Sequence, residues 1–264
     1  MKKIELLWED AFNRPAGSGP SNTYWNFDIG DGSEAGIPGW GNQEREWYRP
    51  ENAEISSDST LIISATRNAS DAGPLAYYQK PAEWFSSKIT TKGKVEFKYG
   101  LIEARVKVPS GAGTWPAFWM LGSNLTEDGW PLCGEIDILE VRGKDPGNLV
   151  ATLHGPGYFG DNGCGKEWRT PVAMNDDFHT YAIEWLPDSI TWLFDGVPYS
   201  RKIKADVAPN EWVFDHQFYL IANLAMGGGF TGEIDPNLSA AEMEIDFIRA
   251  SSINGVGEAF IKIQ

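Results

Sequence analysis

The run Gly134-Glu135-Ile136-Asp137-Ile138-Leu139-Glu140 holds three carboxylates on what reads as one strand. Carboxylates that share a face can divide the work of nucleophile and general acid. Alternate strand residues face the same side, so Glu135 and Asp137 go together while Ile136 and Ile138 point inward. Strict alternation would send Glu140 into the interior, where a bare carboxylate is costly. One extra residue taken up as a β-bulge at Ile138-Leu139 removes the conflict and returns Glu140 to the acidic face. Four regular strand steps span about 13 Å at Cα, and two glutamates leaning together can close most of that gap. Carboxyls about 5–5.5 Å apart suit a double displacement at an anomeric carbon with net retention. Asp137, between them, is placed to raise a neighbour's pKa or share its hydrogen bond. On spacing alone, a solvated acidic face or a calcium site competes with this reading. Calcium sites usually take their carboxylates from a turning loop, and the apolar company here argues against plain solvation.

Upstream lies Gly111-Ala-Gly-Thr-Trp115-Pro-Ala-Phe-Trp119-Met-Leu-Gly122. As a strand it puts Trp115 and Trp119 on one face and Phe118 and Met120 on the other. Either face could be core. Beside a carboxylate ladder, an indole face is a platform for sugar C–H groups, with its N–H free for a hydroxyl. His154 is placed to support the glutamates or a sugar hydroxyl. The three histidines lack metal-ligand spacing, which argues against zinc. No phosphate-binding loop, dinucleotide fingerprint or Gly-x-Ser-x-Gly elbow is present.

The elements that must position these residues read as short strands. Alternating segments such as Thr60–Ala65, Lys94–Tyr99, Leu101–Val108, Thr180–Trp185 and Ile190–Phe194 recur between Gly, Pro, Asn and Asp clusters. Asp195-Gly196 is a tight-turn signal. The pattern predicts an all-β antiparallel sandwich in one domain, residues 1–264, without βαβ alternation. Asn13–Gly41 reads as loop over one rim, Leu238–Glu242 as a single helical turn, and Met243–Arg249 as the last strand.

Net charge is −15, from 22 basic and 37 acidic residues. That disfavours nucleic acid and anionic membranes as partners. No run is apolar enough to span a bilayer, and Met1–Leu7 does not read as a signal peptide. Cys133 and Cys164 are the only cysteines, and one disulfide or two thiols both remain open.

In order along the chain, these segments resemble laminarinase-like members of glycoside hydrolase family 16. The resemblance rests on the ladder together with Gly41–Glu44, Tyr99–Arg105, Trp115–Trp119, Phe178–Trp185, Asn223–Gly228 and Met243–Arg249. It implies a β-jelly roll with an open concave cleft and endo-hydrolysis of β-1,3-glucan. It implies Glu135 as nucleophile, Glu140 as acid/base and Asp137 as their assistant. Asn42, Trp115, Trp119 and His154 would contact sugar. No cofactor is implied for catalysis. A structural calcium ion is implied away from the cleft, on Asp246 and main-chain oxygens near Ala11 and Ser59. A secreted monomer is expected, with a cytosolic protein as the alternative location. Other β-glycans on this scaffold, or a non-catalytic sugar-binding module, are the alternatives. Three positions depart from the family pattern: Lys88 for the usual Arg, Gly227–Gly232 without the usual Trp-Pro, and Leu139 for Met.

Overall fold

The computed structural model describes residues 2–70 and 72–262. Met1, Asp71, Ile263 and Gln264, which the single-domain reading includes, lie outside the described residues. Two sheets stack face to face. One runs, in order, Val197–Ile203, Ser189–Phe194, His179–Leu186, Gly100–Lys107, Ala240–Ile253, Leu61–Arg67, Trp84–Ser86 and Glu46–Tyr48, with Ile4–Asp10 and Ala53–Ile55 attached. The other, the cleft sheet, runs Lys166–Arg169, Asn148–His154, Glu135–Val141, Thr114–Gly122, Phe218–Met226, Lys88–Thr90 and Asn26–Phe27. Val95–Lys98 and Glu258–Ile261 extend it. Only Glu46–Tyr48 with Trp84–Ser86 pairs in parallel among the described strands.

Period-two alternation builds the core. Leu61, Ile63 and Ala65 from one sheet, and Phe118, Met120, Leu220 and Leu224 from the other, have no exposed surface. Each large side chain buried this way contributes roughly 1.5–3 kcal/mol. At Asp195-Gly196 both residues take positive φ, at 48° and 75°. They join Phe194 to Val197 as a two-residue hairpin whose twist matches its strands.

Two expected elements differ. Leu238–Glu242 forms no helical turn, because Ala240 already pairs with Thr66 and the strand runs on to Ile253. Ladder pairing outweighs the local helix preference of this Ala- and Glu-containing segment. That strand is also not the last, since Glu258–Ile261 follows and pairs with Val95–Lys98. Both cysteines are free thiols, Cys133 buried and Cys164 partly so. No helix among the described residues is long and apolar enough to cross a membrane.

Candidate active site

The ladder strand carries the bulge. Trp119 faces Asp137 and Phe118 faces Leu139, so Ile138 is the extra residue. On the other side, Asp137 faces Thr152 and Glu140 faces Val150, leaving Ala151 opposite both Ile138 and Leu139. Ile138 and Leu139 both enter the core, at 1% and 0% exposure, and Glu140 emerges beside Glu135. A bulge leaves main-chain groups without ladder partners. Trp192, reaching across from the opposite sheet, donates its indole N–H to the Asp137 carbonyl at 2.8 Å. The core therefore fixes the irregularity that aims the carboxylates. Gly134 opens the strand at φ 77°, and a Cβ there would meet the Phe218 ring at 2.9 Å.

Glu135 and Glu140 both line a cleft of about 880 Å³ on the outer face of the cleft sheet. Asp137 lies beneath them, 3% exposed. Each glutamate receives an indole N–H. Trp130 donates to Glu135 Oε2 at 2.8 Å, and Trp115 donates to Glu140 Oε1 at 3.1 Å. His154 Nε2 stands 3.2 Å from Asp137 Oδ2 and 3.8 Å from Glu135 Oε1. The approach to Asp137 is close but misaligned, so Oδ2 keeps no hydrogen-bond partner. Gly163 packs against the imidazole, where a Cβ would come within 2.7 Å of it.

Burial dominates the electrostatics. It pushes Glu135 up to about 8, with the Asp137 charge adding to the rise and His154 and the Trp130 N–H opposing it. Burial likewise lifts Asp137 to about 7, opposed by its hydrogen bond with Glu135. Glu140 is raised well above the carboxylate range by burial, then by the charges of Asp137 and Glu135. Three carboxyls this close titrate as a unit, so the site carries fewer than three negative charges near neutrality. One glutamate able to ionise beside another held protonated is the division of labour that retaining sugar transfer needs.

That arrangement strains the fold as pH rises. Glu135 has a folded pKa near 8 against an ordinary 4.5, so the folded state holds its proton longer than the unfolded chain does. The stability this contributes is present below 4.5 and is lost as pH rises toward 8. Glu135→Gln is therefore expected to stabilise the protein by about 2 kcal/mol at pH 7, or roughly 4–8 °C in melting temperature. The gain should shrink at pH 4. Scanning calorimetry at the two pH values measures it, and an unchanged or lower melting temperature at pH 7 would contradict it.

Of the expected sugar contacts, Asn42, Trp115 and His154 line the cleft. Trp119 does not. It packs further along the same face with Leu121, Cys133, Tyr219 and Ile221, and its N–H is taken by Asn223 Oδ1 at 2.7 Å. Lys88 is 8% exposed, with its ammonium 4.2 Å from the Trp40 ring and 3.3 Å from Asp28.

Sequence reasoning missed three residues of the cleft. Trp130 is 46% exposed, and its ring edge meets Phe159. Phe230 lies 4.7 Å from the Trp115 ring, and the Arg142 guanidinium lies over the Phe230 ring at 4.0 Å. Trp130 sits five residues before Glu135, which is a usable signal. Phe230 and Arg142 come from elements 88 residues apart, and nothing local announces their meeting.

The expected calcium positions fit in part. Strand register sets Asp10 opposite Ile248 and Leu61 opposite Ile245. Ala11, Ser59 and Asp246 thus sit near one end of neighbouring strands. Their donors would be hard oxygens, as the ion requires. Against this, Asp246 Oδ2 already accepts from Arg105 at 2.7 Å, leaving one carboxylate oxygen. The close metal-like grouping among the described residues is instead Glu135, Asp137 and His154, whose carboxylates the chemistry needs.

A carboxylate pair in an open cleft on a β-sandwich is an arrangement that glycoside hydrolysis can use. The family model for glycosyl hydrolases family 16 matches residues 41–249. The glucan endo-1,3-beta-glucosidase A1 of Niallia circulans is 34% identical over 93% of this chain, which spans 37% of that protein's length. The beta-glucanase of Rhodothermus marinus is 36% identical over 93% of this chain and 84% of that protein. The catalytic domain of an endo-1,3-beta-glucanase (laminarinase) from Thermotoga petrophila RKU-1 superposes with a TM-score of 0.89 at 40% identity. It covers 97% of this chain and 100% of that one. The chain belongs to glycosyl hydrolases family 16.

Proposed function

We propose that the protein is an endo-acting hydrolase of β-1,3-glucan that retains anomeric configuration. The observation that carries this reading is the bulge at Ile138-Leu139, which turns Glu140 into the same cleft as Glu135. Glu135 attacks the anomeric carbon as the glycosidic bond breaks, while Glu140 gives its proton to the leaving oxygen. Glu140, now ionised, takes a proton from water, and the resulting nucleophile displaces Glu135. Attack requires the negative charge of the Glu135–Asp137 pair to sit on Glu135. Glu135 accepts from Trp130, whereas Asp137 Oδ2 has no donor. Asp137, raised to about 7 against about 8 for Glu135, takes the proton from Glu135 as attack begins and releases it back as that oxygen leaves. Trp115 offers its ring to a sugar face beside Glu140, and Asn42 and His154 supply polar contacts.

The glucanase names of the relatives and the cleft's aromatic walls support the β-1,3-glucan reading. A product profile on laminarin, curdlan, lichenan and agarose tests it. Short oligosaccharides released fastest from laminarin are expected. Preference for lichenan or agarose would move the substrate to another β-glycan, and no reducing ends from any of them would make the protein a sugar-binding module. The same reading makes residues 1–264 a single catalytic domain, monomeric and secreted.

A calcium ion on Asp246 and the carbonyls of Ala11 and Ser59 belongs to the same proposal, as a structural part with no role in the chemistry. Adding calcium to chelator-treated protein is expected to raise the melting temperature by roughly 2–5 °C, as ion binding to the folded state does. Asp246→Asn should abolish the rise. A melting temperature indifferent to calcium would remove the ion.

A further inference from the structure

A second carboxyl pair lies under the cleft rim, outside the ladder. Glu44 and Glu46 are 6% and 1% exposed, and the residue between them, Arg45, turns away to Glu83 at 2.5 Å. Glu46 Oε2 accepts the main-chain N–H of Met226, at the end of the floor strand, at 2.7 Å. Glu44 accepts from Asn42 Nδ2 at 3.0 Å and from the Tyr48 hydroxyl at 3.2 Å. Tyr48 in turn accepts from Asn223, whose oxygen accepts from Trp119. The Tyr48 hydroxyl and Trp119 indole hydrogens are thereby spent, and none of these donors reaches Glu46 Oε1. Glu46 Oε1 remains buried without a partner, although the two carboxyls lie within hydrogen-bonding reach.

Two ionised carboxylates have no hydrogen to share, and a dry site without a contacting cation does not tolerate both charges. A single proton between them satisfies Oε1 and removes one charge. The remaining titratable groups facing the pair are Tyr48 on its own strand and Tyr77 from the facing loop, while Arg45 pairs with Glu83. Burial first, then Glu46 and Glu44, hold the Tyr48 hydroxyl far above its ordinary range, so it stays neutral.

We propose that Glu44 and Glu46 share one proton, and that this proton pins the rim segment carrying Asn42 and Gln43 to the floor strand Phe218–Met226. Glu46 is then a positioning residue for glucan binding, a role that rests on reading Asn42 as a sugar contact. The main chain already ties the rim here, with the Arg45 N–H donating to the Met226 carbonyl and the Gly229 N–H to the Asn42 carbonyl, each at 2.8 Å. The side-chain anchor adds to that seam where Trp40 and Gln43 hold left-handed backbone at φ 52° and 63°. Burial, then the Glu44 charge, raises Glu46 well above its ordinary 4.5. The anchor is therefore complete at low and neutral pH and is lost as pH rises through the pair's titration.

The test is a carbon-13 titration of the glutamate side chains, run beside calorimetry with laminarihexaose on a Glu135→Gln background that does not turn over. One carboxyl of the pair should keep its proton past pH 7, and affinity should fall at least tenfold as that proton leaves. Glu46→Gln supplies a permanent N–H donor, so its affinity should stay level across that range. Glu46→Ala should bind weakly throughout. Should the alanine variant fail to fold, the glutamine variant still decides. Both carboxyls titrating near pH 4–5, or a glutamine variant that loses affinity as the parent does, would overturn the proposal. If laminarihexaose binds at no pH, the substrate reading fails instead, and the carbon-13 titration alone decides the shared proton.

Discussion

Glu135→Ala is expected to lower turnover of laminarin by about 10⁴-fold or more, the loss typical when a covalent nucleophile is removed from a working set. The cavity left by the side chain has room for a small anion. With an aryl β-glycoside of a laminari-oligosaccharide and added azide, the variant should regain activity and release the α-glycosyl azide. Azide attacks from the face that Glu135 vacated, while Glu140 still assists the leaving group. One displacement inverts, so the product's configuration reports which carboxylate was removed. A β-azide would transfer the nucleophile role to another group. No rescue by azide, in a variant shown to be folded, would remove the covalent step from this residue.

Glu140→Ala should give the complementary pattern. General-acid assistance contributes about 10²–10⁴-fold, and natural glucan leaves as a poor alkoxide that needs all of it. Laminarin hydrolysis should drop by about 10³-fold or more. An aryl glycoside with a good leaving group needs no proton, so its glycosylation step should be largely spared. Azide should then accelerate the second step and yield the β-glycosyl azide, because Glu135 still forms the intermediate. Burial and the neighbouring charges hold the Glu140 proton in the parent, so the parent's alkaline limb should disappear with it. Equal losses on both substrates would deny Glu140 the acid role.

The bulge was legible because a buried, unpaired Glu140 is too costly for the regular alternative. The alternation of Leu61–Arg67 and the Asp195-Gly196 turn were legible for equally local reasons, since a two-residue period and a φ preference need no partner to be read. What escaped was decided between distant segments. Trp192 reaches the Asp137 carbonyl from the opposite sheet. Phe230 meets Trp115, and Arg142 lies over Phe230, from segments far apart in the chain. Trp119 shares a face with Trp115, as its spacing requires, yet Asn223 takes its N–H. Periodicity assigns a face but not a partner. The segment Leu238–Glu242 makes the same point for secondary structure, where pairing with Thr66 outweighed local composition.

Proton NMR of the first products from a soluble β-1,3-gluco-oligosaccharide tests the paired-glutamate account most directly, recorded before mutarotation sets in. A β-anomeric signal that appears first, with the α signal growing only later, is the predicted result. An α signal appearing first would mean a single inverting displacement, and Glu135 would then not be the nucleophile of a covalent step.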